Sequence, residues 1–212
     1  VKAQTTLILA AGLLAGTAVA DIVRITAVGT VNSSNMGAFS TGQTMTAVIE
    51  YETAGPPQLI LNQQAFYVDH ITHISFSSGE WDTSDTGAFG QINKYDNLAN
   101  GDGISLQVAS HAQTYQFTNP KPEVVNLDGI GGSEFRNVHI NFASFSQALW
   151  DNYDLPGELD FSDFDRTQNA GFSFNNGSFG VGWHTVQSEI VPAPGVLALI
   201  GLSGFTSMRR RR

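Results

Sequence analysis

Four groups of residues in this 212-residue chain have types and spacing that could do chemistry. The stretch Asp96-Asn97-Leu98-Ala99-Asn100-Gly101-Asp102-Gly103 offers carboxylate and amide oxygens on a glycine-rich backbone. Such oxygens suit Ca2+, which takes about six to eight of them. Asp96, Asn100 and Asp102 are the candidate ligands. However, Leu98 fills a ligand slot of the EF-hand template and no Glu closes the loop. Asp and Asn also favour turns through their own backbone hydrogen bonds, and turn chemistry is the simpler reading. Beyond this possible calcium loop, no cofactor is expected.

The second group is Asp69-His70-Ile71-Thr72-His73. Residues three apart in a strand point to opposite faces, so the two imidazoles diverge and a zinc site is not expected. The third is the acidic run Glu158, Asp160, Asp163 and Asp165, whose simplest reading is a solvated strand face. A glycosidase needs two carboxylates held ~5–9.5 Å apart across a cleft, and proximity in sequence does not establish that. The fourth is Trp81, Trp150 and Trp183, which could stack on sugar rings. Side chains of this size more often pack in a core, and at least two of the three are expected there. No G-x-S-x-G or S-x-x-K motif is present, and Gly129-Ile130-Gly131-Gly132 lacks the Lys of a phosphate loop. With zero cysteines, disulfides, thiolate catalysis and Cys-ligated metals all drop out.

The elements that would hold these groups are short strands. Ile22–Val31, Thr44–Tyr51, Ala65–Phe76, Ile104–Val108 and Val138–Phe145 are β-branched or alternate at period two. Thr114–Thr118 is expected to partner the strand at Ile104, and Gly79–Gly90 reads as a polar, turn-rich loop. Ala170–Asn175 and Phe179–Glu189 form the expected closing hairpin around Asn176-Gly177. Many short strands with 22 glycines and no long internal helix indicate an all-β antiparallel sandwich or jelly roll.

Both ends differ from this body. Lys2, an apolar run Leu7–Val19 and Ala18-Val19-Ala20 before Asp21 have the parts of a secretory signal peptide, with cleavage expected between Ala20 and Asp21. At the other end, Ile190–Met208 carries no charge over 19 residues, close to the ~20 needed to span ~30 Å of hydrocarbon. Arg209, Arg210, Arg211 and Arg212 follow it. By the positive-inside rule they stay cytoplasmic and leave the body outside. The expected organisation is a signal peptide at 1–20, an ectodomain at 21–188 and a C-terminal membrane segment at 189–212.

Val191-Pro192-Ala193-Pro194-Gly195, the apolar run and the Arg cluster together resemble the PEP-CTERM sorting signal of Gram-negative bacteria. Pro192 and Pro194 match the two prolines, and Ala193 stands at the name-giving Glu, as in a VPAPG-type variant. The resemblance implies recognition by exosortase, a membrane-embedded protease, after a transient stay in the inner membrane. The order of Ala65–Phe76, Gly101-Asp102-Gly103 before a strand, and Leu155-Pro156 followed by Leu159–Phe164 also resembles a β-rich ectodomain frequent among such proteins. It implies a protein of the cell envelope or extracellular matrix, associated with exopolysaccharide; with no catalytic motif between the two terminal signals, a non-enzymatic role is expected. A carbohydrate-binding module is the alternative, and a glycan-active hydrolase or lyase a weaker one.

Charge fits that destination. The chain carries a net −9, and five basic residues accompany all 19 acidic ones between Asp21 and Glu189, a formal −14 for the body. Such a surface repels nucleic acid and anionic lipid. No nucleic-acid partner is expected.

Overall fold

In the computed structural model, residues 21–191 are described except 99–100, 116–117, 145–148, 158 and 166, and residues 97, 98, 113 and 167 by backbone alone. The segment 1–20 and residues 192–212, which contain most of the two terminal signals, lie outside the described residues. Among the described residues no helix is long and apolar enough to cross a membrane.

Strict alternation builds the first strands. In β1 (Ile22–Ser34) Val23, Ile25, Ala27 and Val31 point inward, and in β2 (Thr44–Glu52) so do Met45, Ala47, Ile49 and Tyr51. On the outside Arg24 bridges its neighbours, with ion pairs to Glu50 at 2.7 Å and Glu189 at 2.9 Å. The remaining strands are β3 (Leu59–Leu61), β4 (Gln64–Ser78), β5 (Trp81–Leu98), β6 (Gly101–Ala109), β7 (Phe135–Ser144), β8 (Thr167–Phe174) and β9 (Gly177–Val191).

All pairings are antiparallel, running β2-β1-β9-β8-β7-β6-β5-β4, and β2 then pairs with β4. The sheet therefore closes into an eight-stranded up-and-down barrel, with short β3 continuing along the edge of β4 beyond β2. The all-β antiparallel expectation stands. The sandwich or jelly roll is corrected, because β2 finds its second partner in β4 and leaves no open edge to divide two sheets.

Three local expectations also change. Trp81–Leu98 is a strand, not a loop, because its first half pairs with β4 from His73 to Ser78. The region around Thr114 forms a single 3-10 turn at Ala112–Thr114 in place of a strand. The closing hairpin turns on Asn175-Asn176, one residue earlier than expected, with Phe174 opposite Gly177.

An eight-stranded barrel is just wide enough for side chains to fill or for one small ligand. Here side chains fill it. Ile25, Ile49, Ile74, Phe76, Ile92, Leu106, Ile140, Phe172 and Val181 belong to one buried cluster. Gly29 is needed where β1 crosses β9, since a Cβ there would meet the Gly182 carbonyl and the Trp183 ring. Asp21 and Val191 both leave from one rim, where Ile22 sits opposite Val191.

Three tyrosines are fixed in this interior or under its loops. Tyr51 donates to the Pro156 carbonyl at 2.8 Å, Tyr67 donates to the Tyr153 carbonyl, and Tyr115 accepts from Ala109 N–H at 2.8 Å. Burial raises the pKa of all three, Tyr67 to about 12 and the other two beyond it. A tyrosine in the unfolded chain ionises near about 10. A raised folded-state pKa contributes stability that is fully present below pH ~10 and is lost as pH rises through ~12. Phenolate absorbance is therefore expected to develop in step with loss of near-ultraviolet circular dichroism over that window. Full ionisation of every tyrosine near pH 10 with the fold intact would refute the assignment.

Candidate functional site

Two places in the body concentrate polar groups: the plugged rim and the outer face of β5–β9.

At the rim from which both ends leave, the connection from β7 to β8 folds over the barrel mouth. Leu155, Leu159, Phe161 and Phe164 sink into the core, and the Ser188 hydroxyl donates to the Leu159 carbonyl at 2.8 Å. The centre of this plug is Lys94, only 1 % exposed. Its Nζ donates to the carbonyls of Asp154 at 2.6 Å and Asn152 at 3.0 Å, and lies 4.7 Å from the centre of the Trp150 ring. Burial lowers the Lys94 pKa, opposed by Asp96, Asp154, Asp102 and Asp151.

Asp102 also serves the plug. Its Oδ2 accepts the N–H groups of Leu149 at 2.5 Å and Trp150 at 3.0 Å. Of the three candidate calcium ligands, Asn100 lies outside the described residues, and Asp96 and Asp102 are buried within reach of the Lys94 ammonium. Carboxylates facing an ammonium and two N–H donors do not fit a calcium ion. Among the described residues no group of three or more His, Asp or Glu is placed to hold a metal.

In the second group the expected divergence does not hold. β4 is bulged on both sides of Ile71, so Ile71 and Ile74 both point inward and His70 and His73 both face outward. His70 Nδ1 lies 3.0 Å from the Glu52 carbonyl, and His73 stands opposite Glu50 in the register. In the acidic run, Glu158 lies outside the described residues, and Asp160 caps a 3-10 turn at Phe161–Asp163 instead of lining a strand. It accepts from Ser162 Oγ at 2.7 Å and Ser162 N–H at 2.9 Å, bonds that lower its pKa. A general acid needs the opposite shift. Trp81 and Trp183 are core residues, and Trp150 is half-buried against Lys94. No exposed tryptophan pair forms a sugar platform among the described residues.

The outer face of β5–β9 was not anticipated as a site. Antiparallel register lines up Gln91, Gln107, His139, Gly171 and Gly180 in one row across five strands. A second row beside it holds Asn93, Ser105, Asn141, Asn169 and Gly182. The inward neighbours Ile92, Leu106, Ile140, Ala170 and Val181 are buried, so both rows face away from the core, with Gln91, Ser105 and Gln107 themselves buried and Thr118 bonded to Gln91. Neither row holds a charged residue. Two depressions lie on this surface and share His139, one of ≈ 360 Å3 over β5–β7 and one of ≈ 640 Å3 over β7–β9 and β1.

No family model, curated protein or solved structure matches this chain.

A signal for the outer face was present in the sequence. Uncharged polar residues or glycine recur at every second position in Gln91/Asn93, Ser105/Gln107, Asn137/His139/Asn141, Asn169/Gly171/Ser173 and Ser178/Gly180/Gly182. Lys94 carried no comparable signal, since its surroundings come from a connection more than 50 residues away.

Proposed function

We infer that this is a non-enzymatic protein of the cell envelope or extracellular matrix, exported and then sorted by an exosortase-type membrane protease. The observation that carries the reading is the run from Val191 to Arg212, with Pro192 and Pro194, an uncharged apolar stretch and Arg209–Arg212 in that order. The body supports it in two ways. Its first strand starts at Ile22, just past the Ala20–Asp21 cleavage position, and its last ends at Val191, the first residue of the sorting motif. Cleavage at either position would leave the closed barrel whole. The filled interior also suits a structural or binding body better than a carrier of small molecules.

Replacing Arg209–Arg212 with Ser in the native host is expected to abolish the processed form, leaving a product heavier at its C-terminal side or misplaced on fractionation. Intact mass of the recovered protein reads this directly. Unchanged processing and location would defeat the sorting assignment.

A further inference from the structure

We propose that the outer face of β5–β9 binds a neutral polysaccharide, laid across the strands over the two uncharged rows. This deepens the matrix reading and rests on it for the source of the ligand.

The first argument is charge. The body carries 19 acidic residues, yet the two rows hold only Gln, Asn, Ser, His and Gly. A face kept merely for solubility would carry the charges that β1, β2 and β9 carry in Arg24, Glu50 and Glu189. Carboxamides both donate and accept hydrogen bonds and hydroxyls do the same, so this inventory matches the hydroxyls of a sugar ring. It offers no counter-ion to an anionic glycan, which the acidic body would also repel. Desolvation lowers the His139 pKa, which disfavours its charged form.

The second argument is the polar lining of the smaller depression. Gln107 lines it and makes no side-chain hydrogen bond to another described residue, so its carboxamide can serve a ligand hydroxyl. Its neighbour Gln91 is held in place, donating to Asn93 Oδ1 at 2.6 Å and accepting from Thr118 Oγ1 at 3.1 Å. Tyr95 lines the same depression and supplies a ring on which a sugar can rest.

The third argument is shape. Gly171 and Gly180 occupy adjacent strands in the first row, and a Cβ at Gly171 would meet nothing within 4 Å. The surface is thus lowered there, joining the two depressions through His139. Four strand spacings of ~4.8 Å give an arc of about 19 Å from β5 to β9. That is room for more than one sugar ring, so a chain suits the face better than a single sugar.

The test is native affinity electrophoresis of the full chain in a polyoxyethylene detergent, which carries no sugar. The gels contain a neutral β-glucan, a galactomannan, dextran or, for contrast, alginate. Retardation is expected with at least one neutral polymer and none with alginate. Gly171→Trp places a bulky ring where a Cβ meets open space and is expected to weaken retardation about tenfold or more; Asn141→Ala is expected to weaken it less. Circular dichroism of both variants checks that the barrel persists. Equal retardation of the parent chain and both variants would move the site elsewhere. Retardation by alginate alone, or by no polymer, would overturn the ligand class. Neither result touches the sorting assignment, which the C-terminal processing experiment decides separately.

Discussion

Trp81→Ala is expected to cost the barrel about 3–5 kcal/mol, among the largest losses a single substitution can cause here. Trp81 is 2 % exposed at the rim opposite the plug. Its ring meets Phe39 at 5.5 Å, Phe174 at 5.8 Å, Phe76 at 5.9 Å, Phe172 at 6.0 Å and Phe179 at 6.3 Å. Those five come from the β1–β2 connection and from β4, β8 and β9, so one side chain ties distant parts of the closed sheet. Removal leaves a cavity whose walls are held by backbone pairing and cannot collapse fully. The indole also donates to the Asp128 carbonyl at 3.0 Å, fastening the long connection between β6 and β7. Trp81→Phe keeps most of the ring contact but frees that carbonyl, and about 1–2 kcal/mol is expected for it. Urea unfolding of the two variants beside the parent chain reads both values. A loss below ~1 kcal/mol for Trp81→Ala would mean that the aromatic cluster is not the hub of the fold.

The contrast between β4 and β5 explains what the sequence could and could not reveal. β4 was legible because its inward positions Ile71, Ile74 and Phe76 are apolar and β-branched or aromatic. The facing half of β5 reads Trp81-Asp82-Thr83-Ser84-Asp85-Thr86-Gly87, which has the composition of a turn. It is extended because β4 supplies a ladder on one side, and its own polar side chains recruit a cover on the other. Thr83 Oγ1 accepts Asp128 N–H at 2.8 Å, and Asp85 Oδ2 accepts Asn126 N–H at 2.6 Å. The connection 123–128 thus stands in for a strand where β6 has ended, with Val125 and Leu127 pointing into the core. Tertiary partners overrode local preference there. Barrel closure was hidden for a related reason. β2 and β4 are separated by the β3 excursion, and their pairing from Thr46 to Tyr51 depends on sheet curvature, which no local window encodes. The outer face was half-legible: period two and the missing charge were on show in each strand, whereas the alignment of five strands into two rows is a property of register.

Lys94→Met is expected to cost about 3–5 kcal/mol, and to loosen the plug before the barrel. The substitution keeps the stem length and removes the ammonium. The Asp154 and Asn152 carbonyls then lose the donor at 2.6 and 3.0 Å, and the Trp150 ring loses its cation at 4.7 Å. Buried Asp102 also loses a nearby positive charge while still holding the N–H groups of Leu149 and Trp150. Breaking a buried charge cluster from one side costs more than its net worth, since the remaining carboxylates lose part of their compensation. The loss should be uneven. Strands β1, β2 and β4 close the barrel without help from the plug, whereas residues 149–164 are bound mainly by side chains docking onto the rim. Local opening therefore has a lower free energy than global unfolding. Limited proteolysis of Lys94→Met is expected to cut within 149–164 under native conditions, at a concentration that leaves the parent chain whole, with the strands intact on both sides. Cleavage spread through the strands would mean that Lys94 supports the barrel itself; resistance equal to that of the parent would mean that the apolar anchors Leu155, Leu159, Phe161 and Phe164 hold the plug without it.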